Sequence, residues 1–257
     1  GAAVAAWALC GLPVLLGFVL PVAWLGRMLR QEAAHSEFGL PLARFGQWAW
    51  ASFQFAGLAA LLATGLALAL AFVLRQRPGG LLPPAARVLS LGYAVPGAVI
   101  AVGILLPVGW LQERWPQAGA AALVTGTMFG LLYAYLVRFS AVALQSVEAG
   151  YARLPLSIDE TARMLGSGTR RLFAELHLPL LKRSALAAAL LVFVDVMKEL
   201  PATLVLRPFG SDTLAVVAYN FARDERLAEA ALPSLAIVAV GLIPVVMLSR
   251  ALRAPAD

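Results

Sequence analysis

Long runs without a charged residue constrain the fold of this chain more than any other sequence feature. Charged residues make up only 13% of the sequence and apolar residues 61%, whereas soluble domains contain about 25% charged residues. An α-helix needs about 20 apolar residues to cross a bilayer, and the window 184–206 meets that length despite three charges. Five further windows are free of charge: 1–26, 45–74, 88–112, 115–137 and 230–249.

These windows predict an all-α, polytopic bundle of six transmembrane helices, because lipid offers no partners to unpaired backbone groups. The composition excludes a soluble enzyme, a nucleic-acid module, a disordered tail and a secreted disulfide scaffold. The connections after the second and fourth spans, with the C-terminal tail, hold twelve Lys and Arg residues, against seven in the other three connections. Since cytoplasmic loops are rich in Lys and Arg, both chain ends are predicted to lie in the cytoplasm.

The connection between the fourth and fifth spans is too long for a plain link between helices. Ser157 and Glu160 have the spacing of a capping box, in which Ser157 caps a helix start and Glu160 reaches back to it. Gly166 is predicted to end this helix, and Thr169 to cap a second short helix that ends at Pro179. Both helices are too short to span a membrane, so they either lie in the lipid interface or dock into a cytoplasmic partner.

The same connection resembles the loop motif of bacterial ABC-importer permeases. That motif runs Glu-Ala-Ala, three residues, Gly, nine residues and Ile-x-Leu-Pro, and the spacing here is the same at every step. Thr161 replaces the first Ala and Leu176 replaces the Ile. The resemblance implies that the helix pair sits in a groove of an ATP-hydrolysing subunit and passes its motion to the membrane helices. The residues that carry the ATPase-coupling motif are Glu160, Thr161, Ala162, Gly166, Leu176, Leu178 and Pro179.

Three other stretches resemble the permeases of ferric-iron importers. They are Asp195–Leu204, the following residues 206–214, and Tyr93–Gly97. Permeases of this type usually carry two six-span halves in one chain. The missing start Met and the abrupt apolar opening predict that this sequence is the C-terminal half.

The resemblance also divides the chain into parts. Residues 1–48 are predicted to form the first span and a periplasmic loop. Residues 49–250 are predicted to form the ABC-importer transmembrane domain, with five core spans and a coupling loop at 141–183. Residues 251–257 are predicted to be a cytoplasmic tail.

Three ionisable residues lie within the fifth predicted span, where a buried charge costs at least about 2.5–3.5 kcal/mol. Asp195, Lys198 and Glu199 have the spacing to share one helix face, and Pro201 follows them. One interpretation is structural, with an Asp195–Lys198 ion pair and Glu199 bonded to a neighbouring helix or an amide. The other, which we favour, is that these residues line the solute pathway or its outer gate.

Small and cyclic residues mark places where helices bend or approach closely. Pro96 and Gly97 lie inside the third predicted span, where a proline removes a backbone hydrogen bond and favours a kink. Gly126 and Gly130 form a small-xxx-small pair in the fourth, which lets helix backbones pack closely.

The sequence lacks the residues that nucleotide hydrolysis or metal binding requires. No phosphate-binding loop of the Gly-x4-Gly-Lys-Ser/Thr type is present. ATP and Mg are therefore expected on a partner ATPase. This chain is expected to bind no cofactor and no metal and not to be an enzyme. His35 and His177 are interpreted as polar loop residues, and Cys10 as an apolar helix residue.

The resemblance implies the permease subunit of an ATP-driven importer, most simply for ferric iron, in the bacterial inner membrane. Thiamine, polyamine, phosphonate or sulfate are alternative substrates, and a secondary transporter or channel is the alternative from another class. The implied partners are an ATPase dimer, a second permease half (the N-terminal part of the same full-length chain), a periplasmic or lipid-anchored solute-binding protein and membrane lipid. No nucleic acid is expected.

Overall fold

The fold was obtained as a computed structural model, which describes residues 2–36, 39–77 and 79–253. Within those residues the chain is helical and has no β-strand, so the predicted all-α class is confirmed. A π-helical segment, Leu15–Val19, joins the first two helices, and another, Leu172–His177, lies later in the chain. The α-helices are α1 (Ala2–Val14), α2 (Leu20–His35), α3 (Leu42–Gln76), α4 (Leu82–Leu91), α5 (Gly97–Arg114), α6 (Ala120–Gly126), α7 (Met128–Tyr151), α8 (Ser157–Met164), α9 (Thr169–Arg171), α10 (Leu178–Leu180), α11 (Lys182–Met197), α12 (Pro201–Leu206), α13 (Leu214–Arg223) and α14 (Leu227–Arg253).

Four of the described helices are long and apolar enough to cross a membrane: Ala5–His35, Leu42–Gln76, Met128–Tyr151 and Leu227–Met247. A bent pair, formed by Leu82–Ala94 and Gly97–Arg114, makes a fifth if it is counted as one span. The sequence predicts six spans, and the lower count comes from the third predicted window, which is bent, and the fifth, which is broken. The orientation of the spans stays a prediction.

The third window, 88–112, is not one helix. The chain bends by 114° between the two members of the bent pair. Val95 is extended, with φ −80° and ψ 128°, and Pro96 precedes the first residue of α5. A proline disfavours helical backbone in the residue before it, which explains why the sharp turn lies here.

The prediction of one continuous helix over 115–137 is wrong. Thr127 is extended, with φ −127° and ψ 173°, and separates α6 from α7. Its hydroxyl accepts a hydrogen bond from the Phe129 amide at 3.1 Å and so caps the start of α7. Gly126 and Gly130 therefore do not share one helix. Gly130 still permits close packing, because a Cβ there would overlap the Val124 carbonyl.

The fifth window, 184–206, is also broken. The helix α11 ends at Met197 and α12 begins at Pro201, since a proline is tolerated in the first turn of a helix but not in its interior. The helix α7 extends to Tyr151, so the fourth connection begins after that residue and not directly after the window 115–137.

The chain divides into two compact units. One comprises Gly1–Ser52 and Asp212–Leu242, and in it the Leu214 amide donates to Ser52 Oγ at 2.8 Å. The other comprises Phe53–Ser211 and Ile243–Asp257. At its centre α7 contacts α4, α5, α6, α11 and α12. The predicted division after residue 48 rests on family likeness and stays a prediction.

Candidate functional site

The predicted coupling motif lies on a helical hairpin, residues 157–180, between α7 and α11. Its first helix, α8, starts differently from the prediction. Leu156 occupies the cap position and no side chain caps the helix. The Glu160 amide donates to the Leu156 carbonyl at 3.2 Å, so the chain is already helical at Ser157. The predicted capping box is therefore wrong.

Gly166 ends α8, as predicted. Its φ is +82°, a conformation that glycine adopts without steric cost. The Gly166 amide donates to the Arg163 carbonyl at 2.9 Å, and the Ser167 amide to the Ala162 carbonyl at 3.0 Å. These two bonds form a Schellman motif, which satisfies the last carbonyls of the helix.

The second arm of the hairpin is one helical stretch from Thr169 to Leu180, with a π-helical segment in the middle. Thr169 makes no side-chain cap, and the arm continues past Pro179, so both of these predictions are wrong. At the end of the π-helical segment, the Leu178 amide donates to the Phe173 carbonyl. Pro179 then lies in the first turn of α10, where its missing N–H is tolerated.

The tip of the hairpin exposes apolar side chains. Met164 is 89% exposed and Leu165 is 81% exposed. A groove of about 340 Å³ lies beside them. Thr161, Ala162 and Leu176, three residues of the predicted motif, line this groove. Glu160, Leu178 and Pro179 are exposed at other points of the hairpin surface.

The inner side of the hairpin carries a buried polar cluster that the sequence did not predict. Asp159 is 4% exposed and His177 is 1% exposed. Arg75 at the end of α3 contacts Asp159 through Nε–Oδ2 and Nη2–Oδ1, both at 3.0 Å. His177 Nε2 lies 3.1 Å from Asp159 Oδ1, and its Nδ1 lies 3.1 Å from the Tyr151 hydroxyl.

The interpretation of His177 as a polar loop residue is therefore wrong. Burial alone would raise the pKa of the Asp159 carboxyl, but hydrogen bonds from Arg75 and His177 outweigh it and hold this pKa below its usual value. Asp159 is therefore ionised at neutral pH. No local sequence pattern indicates the cluster, because Arg75 and Asp159 are 84 residues apart.

The charges of the fifth window divide into two groups. Asp195 lies on α11 and pairs with Lys198 at 2.9 Å, the contact that the structural interpretation of these charges expects. Glu199 follows the end of α11, so the three charges do not share one helix face. Its Oε1 accepts from the Ala202 amide at 3.1 Å and its Oε2 from the Thr203 amide at 3.0 Å. Glu199 thus caps the start of α12.

A cavity of about 260 Å³ brings the predicted pathway residues together. Asp195, Lys198, Glu199 and Pro201 all line it. Arg138 lines it as well, with Nη1 3.9 Å from Glu199 Oε1. Arg138 was missed because it directly follows a charge-free window and was counted with the basic loop residues. Among the described residues, no three His, Cys, Asp or Glu side chains converge as metal ligands.

The break before α5 lies against the same cavity. A Cβ on Gly97 would overlap the Glu199 carboxylate and lie 2.7 Å from Arg138 Nη1. A glycine is therefore required here by close approach of the side chains. The structure thus brings Gly97 of the third window next to Glu199 of the fifth.

Comparison with known proteins finds similar permeases of transport systems. The chain is 29% identical over 243 residues to the Fe(3+)-transport system permease protein FbpB 2 of Haemophilus influenzae, covering 93% of this chain. It is related to ABC-importer permeases. The 2-aminoethylphosphonate transport system permease protein PhnV of Salmonella typhimurium is 28% identical over 162 residues, or 63% of this chain. No family model matches the chain.

The resemblance to ABC-importer permeases of the ferric-iron type is thereby confirmed. The chain spans about half the length of these relatives, 44% of the first and 59% of the second. A crystal structure of a bacterial alginate ABC transporter, bound to a periplasmic protein with an alginate pentasaccharide, shares the fold. The TM-score is 0.69 at 13% identity, over 98% of this chain and 94% of that one.

Proposed function

We propose that this chain is the permease subunit of an ATP-driven importer in the bacterial inner membrane. The observation that carries the proposal is the helical hairpin, whose tip exposes Met164 and Leu165 on an element too short to cross a bilayer. Large apolar side chains exposed side by side mark an interaction surface. The spacing of the coupling motif and the relatedness to transport permeases support an ATP-hydrolysing subunit as the partner.

In the proposed mechanism, a dimer of that subunit binds ATP and Mg and moves the hairpin. The hairpin lies between α7 and α11 in the chain, and these two helices pack against each other. A displacement of the hairpin therefore acts directly on the packed helices, which alternate between access from outside and from inside. A second permease half and a solute-binding protein complete the assembly.

Ferric iron is the proposed substrate, as cargo and not as a resident metal. The relatedness to a Fe(3+)-transport permease supports it. A phosphonate is the first alternative, because a second relative carries that substrate in its name. Thiamine, polyamine and sulfate remain substrates of the same class of transporter.

The cavity beside Arg138 is proposed to lie on the solute pathway or at its outer gate. Lys198 has a side chain that is 61% exposed and Asp195 one that is 16% exposed, so both are accessible to a solute. Glu199 is 5% exposed and its oxygens bind the amides of α12. We assign Lys198 and Asp195 to the pathway and Glu199 to holding the shape of the gate.

Uptake of radiolabelled ferric iron by cells tests the proposed function. Cells that lack the gene should lose uptake, and the full-length gene should restore it. Depletion of ATP with the proton-motive force intact should abolish uptake. Uptake that continues without ATP would contradict the proposal and favour a secondary transporter. If unlabelled phosphonate at equal concentration lowers the uptake of labelled iron, phosphonate becomes the proposed substrate.

A further inference from the structure

At the end of α3, the side chains of Arg75 and Gln76 both contact Asp159 of the hairpin, and Gln76 Nε2 donates to Asp159 Oδ2 at 3.2 Å. The Arg75 side chain is 9% exposed and that of Asp159 is 5% exposed. Their two parallel contacts, both at 3.0 Å, use the fork geometry that only arginine offers to a carboxylate. Such a pair fixes direction as well as distance, because both nitrogens must stay in the plane of the carboxylate.

Arg75 also holds the connector that leads from α7 into the hairpin. Its Nη1 donates to the Leu154 carbonyl at 3.0 Å and its Nη2 to the Pro155 carbonyl at 3.0 Å. Nη1 lies 3.4 Å from the carbonyl of Tyr151, the last residue of α7. One side chain therefore binds the end of α7, the connector and the first helix of the hairpin.

The second arm of the hairpin joins the same cluster through His177. This side chain bridges Asp159 and the Tyr151 hydroxyl, with both contacts at 3.1 Å. The ring of Phe72 on α3 lies 5.3 Å from the His177 ring and 4.9 Å from the Phe173 ring. Polar and aromatic contacts thus connect α3 to both arms. We name the cluster of Arg75, Tyr151, Asp159 and His177 the Arg75 joint.

We propose that Arg75, Asp159 and His177 are positioning residues that transmit displacement of the hairpin to α3. The inference rests on the proposed function for the source of that displacement. The hairpin is continuous in sequence with α7 and lies next to α11, but α3 ends about 80 residues earlier. Without the joint, the non-helical connector between Tyr151 and Ser157 takes up part of the movement, and less of it reaches α3.

Pulsed electron–electron double resonance measures distances between two spin labels. Applied to the full chain in lipid nanodiscs, it tests the joint in the absence of any ATPase. The single cysteine, Cys10, is replaced by Ser. Spin labels are attached at Arg77→Cys, which follows α3, and at Met164→Cys at the hairpin tip, both on exposed side chains. The width of the distance distribution reports how firmly the hairpin is held to α3.

We expect a narrow distribution in the parent chain and at least a twofold wider one in Asp159→Asn and in Arg75→Gln. Arg75→Lys, which keeps the charge and loses the fork, should give an intermediate width. The matched control is Asp224→Asn, which makes the same change in the exposed Arg223–Asp224 pair and should leave the width unchanged. Equal widths in Asp159→Asn, Arg75→Gln and the parent would overturn the proposal.

Size-exclusion chromatography checks that each variant is inserted and monodisperse. If Asp159→Asn does not fold, His177→Gln removes the two imidazole contacts of the joint and leaves the Arg75–Asp159 pair in place. It should still widen the distribution, and an unchanged width there overturns the proposal equally.

A second readout separates transmission from plain stability. In proteoliposomes with the ATPase, Asp159→Asn should keep the ATPase bound and hydrolysing but lower the amount of solute moved per ATP at least fivefold. Arg75→Lys should recover part of that ratio, and an undiminished ratio in Asp159→Asn would refute the transmission role. Failure of the parent chain to bind the ATPase would instead contradict the proposed function and leave the resonance result on the joint standing.

Discussion

Asp159 and Glu160 are adjacent acidic residues on α8 with opposite surroundings. Glu160 is exposed, as its predicted contact with a partner requires, while Asp159 is 4% exposed and bound by Arg75 and His177. A buried carboxylate is stable only with close partners of opposite charge or with hydrogen-bond donors. Glu160 therefore leaves one face of this short helix available to a partner protein, while Asp159 on the other face binds the helix to α3.

At this scale the first prediction concerns Asp159→Asn. The substitution leaves the Arg75 guanidinium buried without its carboxylate, so we expect a loss of about 3–5 kcal/mol in the free energy of unfolding. Denaturation in mixed detergent micelles measures it. Asp224→Asn, in an exposed pair, should change that free energy by less than about 0.5 kcal/mol, and a similar change in both variants would contradict the burial argument.

The pH dependence of this difference follows from the lowered pKa of Asp159. A carboxyl whose pKa is lower when folded contributes stability above its unfolded pKa and loses it as the pH falls through the folded pKa. The free energies of unfolding of the parent chain and of Asp159→Asn should therefore differ by the full amount at pH 5, above the ordinary carboxyl pKa. The difference should shrink below the ordinary carboxyl pKa of 3.8. A difference that grows on acidification would contradict this assignment.

At the scale of elements, the hairpin depends on the turn at Gly166. Apart from Gly166 and its two chain neighbours, no atom lies within 4 Å of a Cβ placed there, so a methyl group fits and only the backbone is strained. We expect Gly166→Ala to cost about 1–2 kcal/mol in that turn and to abolish ATP hydrolysis coupled to transport, while insertion stays intact. Solute-stimulated ATPase activity in proteoliposomes measures the effect.

Ser167→Ala is the control for this prediction, because it leaves the left-handed position unchanged and should keep the stimulation. Full stimulation in Gly166→Ala would refute the docking role of the turn.

At the start of α12, the neighbouring charged residues Lys198 and Glu199 have different proposed roles, the first in the solute pathway and the second in capping the helix. Glu199→Gln places an amide group against the donors of Ala202 and Thr203, so we expect a loss of about 1 kcal/mol as for a lost helix cap. Lys198→Gln removes a pair whose ammonium is largely exposed, and such pairs contribute about 0–1 kcal/mol. Uptake should fall in both variants, but thermal stability only in Glu199→Gln. Unchanged uptake in Lys198→Gln would remove it from the pathway.

Helical elements were predictable from the sequence to the extent that apolar length determines them. The windows 45–74 and 230–249 lie within α3 and α14. The breaks at Thr127 and at Lys198–Leu200 were not predictable from apolar length, because an apolar window has the same composition whether its helix is continuous or interrupted. Gly166 was correctly placed as a helix end, since a glycine after an amphipathic turn has a local physical cause.

The candidate sites show the same limit. The spacing of the coupling motif located the hairpin, and the charges of the fifth window located the cavity. Their partners, Arg75 and Arg138, come from helices far away in the sequence, and a single sequence carries no information on which distant side chains meet. His177 was misjudged for that reason.

At the scale of the whole molecule, the proposed function requires that the hairpin tip contacts an ATP-hydrolysing protein and that the apolar helices contact lipid. The exposed apolar residues at the tip, Met164 and Leu165, lie on a short hairpin and not on a helix of membrane-spanning length. The hairpin tip and the helix faces should therefore have different neighbours in the membrane.

Photocrosslinking from Leu165 tests this claim most directly. A benzoylphenylalanine placed there, in membranes of the source organism, should form an ultraviolet-dependent adduct whose peptides carry an ATP-binding Gly-x4-Gly-Lys-Ser/Thr loop. The same group at Leu61, which is 70% exposed on α3, should form no such adduct and label lipid. Adducts from Leu165 with phospholipid alone would contradict the account.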